Sequence, residues 1–236
     1  QVFHWRWPQE LAFKGYVVVT PDAWGHGERK SVSERRALEE ANWMDGFTRT
    51  VQQTAKDVGK VIDYLQTRED VDPDRIGLMG ISLGGCETLA TSVIEDRLAA
   101  YVVLEGGCDY LGMLKEDLMR LAFPKEPEIT DALKERVEAV DPFLNAEKIA
   151  PKPVVFIHGK HDHVLPPRSA RAMHEKLAPL YKDHPDRLAI HEFDAYPLPT
   201  HREPTVREII FTHYPTPGMT QAAYDWLDTF VRDRAQ

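Results

Sequence analysis

Residues Gly80-Ile81-Ser82-Leu83-Gly84-Gly85 constrain what this chain can fold into more than any other stretch, because of what flanks them. Before them runs Arg75-Ile76-Gly77-Leu78-Met79, short and apolar, led in by the turn-forming Val71-Asp72-Pro73-Asp74. After them runs Cys86 to Ile94, with no breaker and with apolar residues at helical spacing. A Gly-x-Ser-x-Gly held between a strand and a helix makes a sharp turn that lifts the serine hydroxyl clear of the sheet. A bulky side chain two residues to either side is expected to clash there, which accounts for Gly80 and Gly84. The Leu83 N–H then lies at a helix N-terminus, where a developing oxyanion is stabilised. The motif also arises by chance, but a chance copy has no reason to carry both flanks.

The rest of the chain alternates strand and helix patterns. Tyr16-Val17-Val18-Val19-Thr20, Leu98 to Leu104 and Pro153-Val154-Val155-Phe156-Ile157 read as buried strands, and Leu188 to Phe193 as an alternating one. Phe47 to Arg68, Ser169 to Tyr181 and Met219 to Val231 read as helices. Lys30 to Asn42 is a polar connecting segment. Strands alternating with helices predict an α/β protein with a mostly parallel sheet covered on both faces. Only residues 110–149, helix-rich and carrying Pro124, Pro127 and Pro142, break the pattern. They are expected to form a lid-like insertion in a single domain spanning 1–236.

Composition excludes some partners. A net charge of −9 argues against a nucleic-acid ligand, which calls for a basic face. No apolar run approaches the roughly 18 residues of a membrane span. With no signal peptide in view, the default expectation is a cytoplasmic location. Cys86 and Cys108 read as small buried hydrophobes rather than a disulfide framework, although the fold could bring them together. Neither a cofactor nor a metal is expected: His158, His161, Asp162 and His163 are neighbours on one loop and do not converge as zinc ligands do. A homodimer is compatible with the sequence and not required by it.

A serine nucleophile needs a base, and the base needs an orienting acid. In an architecture of this kind they follow the serine in the order acid, then histidine. Asp162 stands in the loop directly after the strand ending at Ile157, at the sheet edge where the Ser82 turn also lies. Asp109, just past Leu104, is the competing acid. Two histidines qualify as base: His201, after a proline-rich loop, and His213, which leads into Pro215-Thr216-Pro217-Gly218-Met219 and the last helix.

Four stretches make the chain similar to α/β-hydrolases, specifically the bacterial esterase and acetyl-xylan-esterase-like group related to the prolyl-oligopeptidase hydrolases. They are Gly15 to Arg29, with its Pro21-Asp22-Ala23-Trp24-Gly25-His26-Gly27 core; Val71 to Gly77 running into Ser82; Phe156 to Asp162; and His213 to Met219 with Ala222 to Leu227. The resemblance implies hydrolysis of small or medium carboxylic esters through an acyl-enzyme on Ser82. Asp162 would orient the base, and Leu83 would supply an oxyanion N–H. It favours His213 over His201, because the group's histidine stands six residues before the methionine of the terminal helix. Trp24 and His26 would shape the substrate pocket together with 110–149. Strands that precede the Gly15 region in that group, and their His-Gly loop, have no recognisable counterpart here. Two alternatives accompany this reading: a catalytically weak or inactive hydrolase-fold binding protein, and a peptidase of the prolyl-oligopeptidase type.

Overall fold

The computed structural model describes residues 6–29, Ser33, 42–115 and 127–233. Most of the polar segment 30–42 and residues 116–126 of the expected insertion therefore lie outside the described residues.

Four strands, β1 (Gly77–Ile81), β2 (Ala100–Leu104), β3 (Val154–Gly159) and β4 (Leu188–Phe193), form one sheet in the order β1-β2-β3-β4. All three pairings are parallel, with Gly77 opposite Ala100, Tyr101 opposite Val154 and Val154 opposite Leu188. When consecutive parallel strands are laid down in one direction, right-handed crossovers put every connecting helix on the same face. That face holds α3 (Leu83–Ile94), the short α5 (Ala146–Ile149) and α6 (Arg168–Leu177), with α2 (Trp43–Leu65) beside them. Tyr101, Val103, Val154 and Phe156 point into this core. Their neighbours Ala100, Val102, Leu104, Val155 and Ile157 point the opposite way, as the two-residue period of a strand dictates. The helices near the two ends of the chain cover them: α1 (Arg6–Phe13) through Leu11, and α8 (Pro217–Leu227) through Met219, Ala223 and Leu227. β2 and β3 are buried throughout, which is why they read as unbroken apolar runs.

A third apolar cluster joins α4 (Asp131–Val140) to α2 and α3 through Leu133, Val137, Met44, Val51 and Cys86. Cys86 and Cys108 are both buried and both free. No helix among the described residues is long and apolar enough to cross a membrane.

The expected strand at Tyr16–Thr20 is not one. The segment joins no ladder among the described residues, and Val17 and Val19 are 48% and 45% exposed. A cavity of about 440 Å³ runs between residues 15–21 on one side and β1 on the other. A β-branched run favours extended backbone, but a strand exists only where another strand's edge supplies its hydrogen bonds. Here the cavity intervenes. A six-residue helix, α7 (Val206–Phe211), occupies the long connection between β4 and α8 and was not expected, although Val206, Ile209 and Ile210 have helical spacing behind a Thr205-x-x-Glu208 start signal.

Candidate active site

The C-terminal ends of the four strands each deliver one polar residue to the same edge of the sheet. Ser82 follows β1 directly, Glu105 follows β2 directly, Asp162 comes three residues after β3, and His213 comes after β4 by way of α7.

Ser82 is the N-cap of α3 with φ 56° and ψ −118°, a left-handed conformation that is costly for a residue with a side chain. Its N–H donates to the Leu104 carbonyl at 3.0 Å, which pins the turn to the end of β2. The turn is possible because Gly80 has no Cβ: a methyl there would collide with the Gly84 carbonyl and with Thr88. Gly84 itself corrects the sequence expectation, since a Cβ at that position meets nothing within 4 Å. The second glycine under constraint is Gly85, whose added Cβ would lie 2.9 Å from both Gly106 Cα and the Leu104 carbonyl. It allows the first turn of α3 to settle onto the end of β2.

Asp162 is 3% exposed. Its Oδ1 accepts from the N–H groups of Val164, at 2.8 Å, and Leu165, at 3.1 Å, which fixes the carboxylate plane. Its Oδ2 lies 2.7 Å from Nδ1 of His213. Two further bonds hold these partners in place. His163 N–H donates to Thr212 Oγ1 at 3.0 Å, and His213 N–H donates to the Ile210 carbonyl at 3.1 Å. Helix α7 carries that second bond, and it opens on a capping box in which Thr205 and Glu208 satisfy each other's N–H groups. Burial pulls His213 toward the neutral form, but the hydrogen bond and charge of Asp162, joined by Glu105, outweigh it and hold its pKa above the ordinary 6.5. His213 Nε2 is buried and has no hydrogen-bond partner among the described residues.

His201 is exposed. His161 pairs instead with Asp194, at 2.9 Å. Asp109 is occupied locally, accepting the Gly112 N–H at 2.8 Å. His158 is fully buried inside β3, and burial pushes it down to about 4, so it stays neutral. Trp24 is half-buried, with its N–H donating to Thr54 Oγ1 at 3.0 Å, while His26 is exposed and contacts the Trp24 carbonyl at 3.1 Å. Arg29 pairs with Asp57, so the Trp24–Arg29 loop is tied to α2 at both ends.

Two features escaped the sequence reading. Phe211 packs edge-on to Tyr196, at 4.7 Å between ring centroids, and against Tyr214, the residue after His213, at 5.3 Å. Glu105 sits fully buried beside His213 and Asp162. The one available signal was an acid placed directly after an entirely apolar strand.

Residues 3–195 match the model of the prolyl oligopeptidase family. That stretch contains Ser82 and Asp162 and ends before His213. Over 185 residues the chain is 30% identical to the "Putative esterase YitV" of Bacillus subtilis (strain 168), covering 75% of this chain and 70% of that protein. The acylaminoacyl peptidase of Pyrococcus horikoshii superposes with a TM-score of 0.57 at 19% identity, over 85% of this chain and 30% of that one. Acetyl xylan esterase 1 from Thermoanaerobacterium sp. JW/SL YS485 superposes with a TM-score of 0.50 at 21% identity, over 74% of this chain and 51% of that one. The chain thus spans well under two thirds of either solved enzyme. A parallel sheet whose strand ends carry a serine turn, together with a family match over most of the chain, makes this protein an α/β-hydrolase and a member of the prolyl oligopeptidase family.

Proposed function

We propose that this hydrolase cleaves carboxylic esters of small or medium substrates through an acyl-enzyme on Ser82. One observation carries the reading. A buried carboxylate, Asp162, holds Nδ1 of His213 at 2.7 Å and leaves Nε2 without a partner, at the edge of the sheet where the Ser82 turn also lies.

In this reading His213 Nε2 takes the Ser82 proton as the hydroxyl attacks the ester carbonyl. Asp162 keeps the proton on Nδ1 and stabilises the imidazolium that forms. The Leu83 N–H, in the first turn of α3, donates to the tetrahedral oxyanion. The alcohol departs with the proton returned by His213, and water then releases the acid by the same route. Trp24, His26 and the segment 110–149 shape the pocket of a single domain. The choice of esters over peptides draws on the Bacillus relative, named an esterase, at 30% identity.

Fluorophosphonate labelling mapped by mass spectrometry tests the nucleophile, with Ser82→Ala as the control. Parallel assays on p-nitrophenyl acetate and on peptidyl p-nitroanilides test the substrate class. Labelling at Ser82 with turnover of the ester alone supports the reading. Turnover of the anilides at comparable kcat/KM makes the protein a peptidase. Absence of labelling removes the acyl-enzyme altogether and leaves a binding protein.

A further inference from the structure

Glu105 has no part in the mechanism above, yet its placement is costly in two ways. Its backbone sits at φ 48°, in the left-handed region that favours glycine. Its side chain is fully buried, and neither carboxyl oxygen has a hydrogen-bond partner among the described residues. Buried carboxyls are ordinarily paired, so an orphaned one at a strand end beside reactive groups calls for an explanation. Its surroundings supply one. A carboxyl oxygen of Glu105, a carboxyl oxygen of Asp162 and a ring nitrogen of His213 all lie within 4.8 Å of one another. Asp162 already holds His213 Nδ1 by a 2.7 Å hydrogen bond, so Glu105 faces the pair without bonding to it.

We infer that Glu105 is a positioning residue for the reaction, a second carboxyl that sets the proton affinity of His213 through its charge. The inference rests on the reading of His213 as the base for Ser82. Its physical content is simple. An ionised carboxylate a few ångströms from a buried imidazole favours the imidazolium, and a protonated carboxyl does not. Burial pushes Glu105 up to about 8, with the imidazole opposing and the Asp162 charge adding to the rise. Glu105 therefore changes charge in the range where His213 works, and the two titrate as an interacting pair.

The groups that face Glu105 are few. Asp162 comes from the loop after β3 and His213 from the turn after α7, and the Gly159 N–H lies at the end of β3. His158 is in electrostatic contact with the same Asp162 and His213, but burial keeps it neutral. A Cβ added at Gly159 would lie 3.5 Å from a Glu105 carboxyl oxygen and from the Thr212 carbonyl, neither position bringing a further charge.

The test is an NMR titration of the His213 ring in the wild-type chain and in Glu105→Gln, with fluorophosphonate labelling of Ser82 run alongside. In wild type the His213 ring shows a second inflection near pH 8 as Glu105 ionises beside it, and Glu105→Gln leaves a single His213 step. A purely structural Glu105 would lower the melting temperature on substitution but leave the His213 titration unchanged. A folded Glu105→Gln whose His213 titration matches that of wild type from about pH 5 to about pH 10 overturns the inference. Where the glutamine variant does not fold, the Glu105 carboxyl itself is followed by carbon NMR in a Glu87→Gln protein. Glu87 is removed there because burial pushes it up to about 7 and would confuse the signal. A glutamate titrating above about 7, with a second inflection at the His213 midpoint, supports the pairing. Glutamates that all titrate below about 5 overturn it. Labelling separates the two claims. Labelled Ser82 with an unchanged His213 titration overturns the role of Glu105 alone, whereas a changed titration without labelling keeps the pairing and overturns the hydrolase reading.

Discussion

His213 Nδ1 lies 2.7 Å from Asp162 Oδ2 although 51 positions separate the two residues, and the Asp162 side chain is completely buried at that contact. Replacing one oxygen with an amide keeps the shape but reverses the hydrogen bond. Asp162→Asn therefore favours the wrong imidazole tautomer, and kcat/KM toward p-nitrophenyl acetate falls by about 10³- to 10⁴-fold with the melting temperature little changed. His213→Ala loses as much. His201→Ala, at an exposed residue, stays within about twofold of wild type, as surface changes usually do. Loss of activity in the His201 variant with retention in the His213 variant would reverse the assignment.

The same contact fixes the direction of two pH effects. The base must be neutral to accept a proton, and His213 is held above its ordinary 6.5 despite burial, by Asp162 first and Glu105 second. The acid limb of kcat/KM therefore has its midpoint above pH 6.5. Stability runs the other way. A histidine whose folded pKa is raised contributes fully below 6.5, and the contribution disappears as pH rises through the folded value. The gap in urea midpoint between the wild type and His213→Gln is accordingly larger at about pH 6 than at about pH 9. An equal gap at both would contradict the raised value.

Gly80 and Gly84 are equivalent in the motif and unequal in the structure. Gly80→Ala forces a methyl against the Gly84 carbonyl, costs about 1–3 kcal/mol, and displaces Ser82. Gly84→Ala has open space in front of it and gains helix propensity of up to about 1 kcal/mol. Thermal denaturation of the two variants should give shifts of opposite sign.

Helix α7 acts on the site at one remove. Thr205→Ala removes the cap that Glu208 N–H uses at 3.2 Å, costing about 1 kcal/mol locally. Hydrogen exchange at residues 208–213 rises first, and kcat/KM falls severalfold, because the Ile210–His213 bond depends on that turn. Unchanged exchange in this segment would show that His213 is held by Asp162 and Thr212 without help from the helix.

Local chemistry decided much of this protein. β2 and β3 were legible because each is a short apolar run buried throughout, and β4 has the bounds its alternation predicts. Ser82 was legible because the turn that exposes it needs Gly80 within reach along the chain. Tertiary structure decided what depends on distant partners. Tyr16–Thr20 has strand composition, but hydrogen-bond partners belong to another segment, and the cavity beside β1 withholds them. The preference for His213 over His201 in the proposed reading rests on a contact across the fold, since after the six-residue α7 the His213 ring meets Asp162 from another loop. Glu105 was invisible for the same reason. Its identity says only that it is acidic, while its meaning comes from three strand ends meeting at one edge of a parallel sheet. Sequence patterning records a residue's neighbours along the chain, whereas a catalytic group is made of neighbours across it.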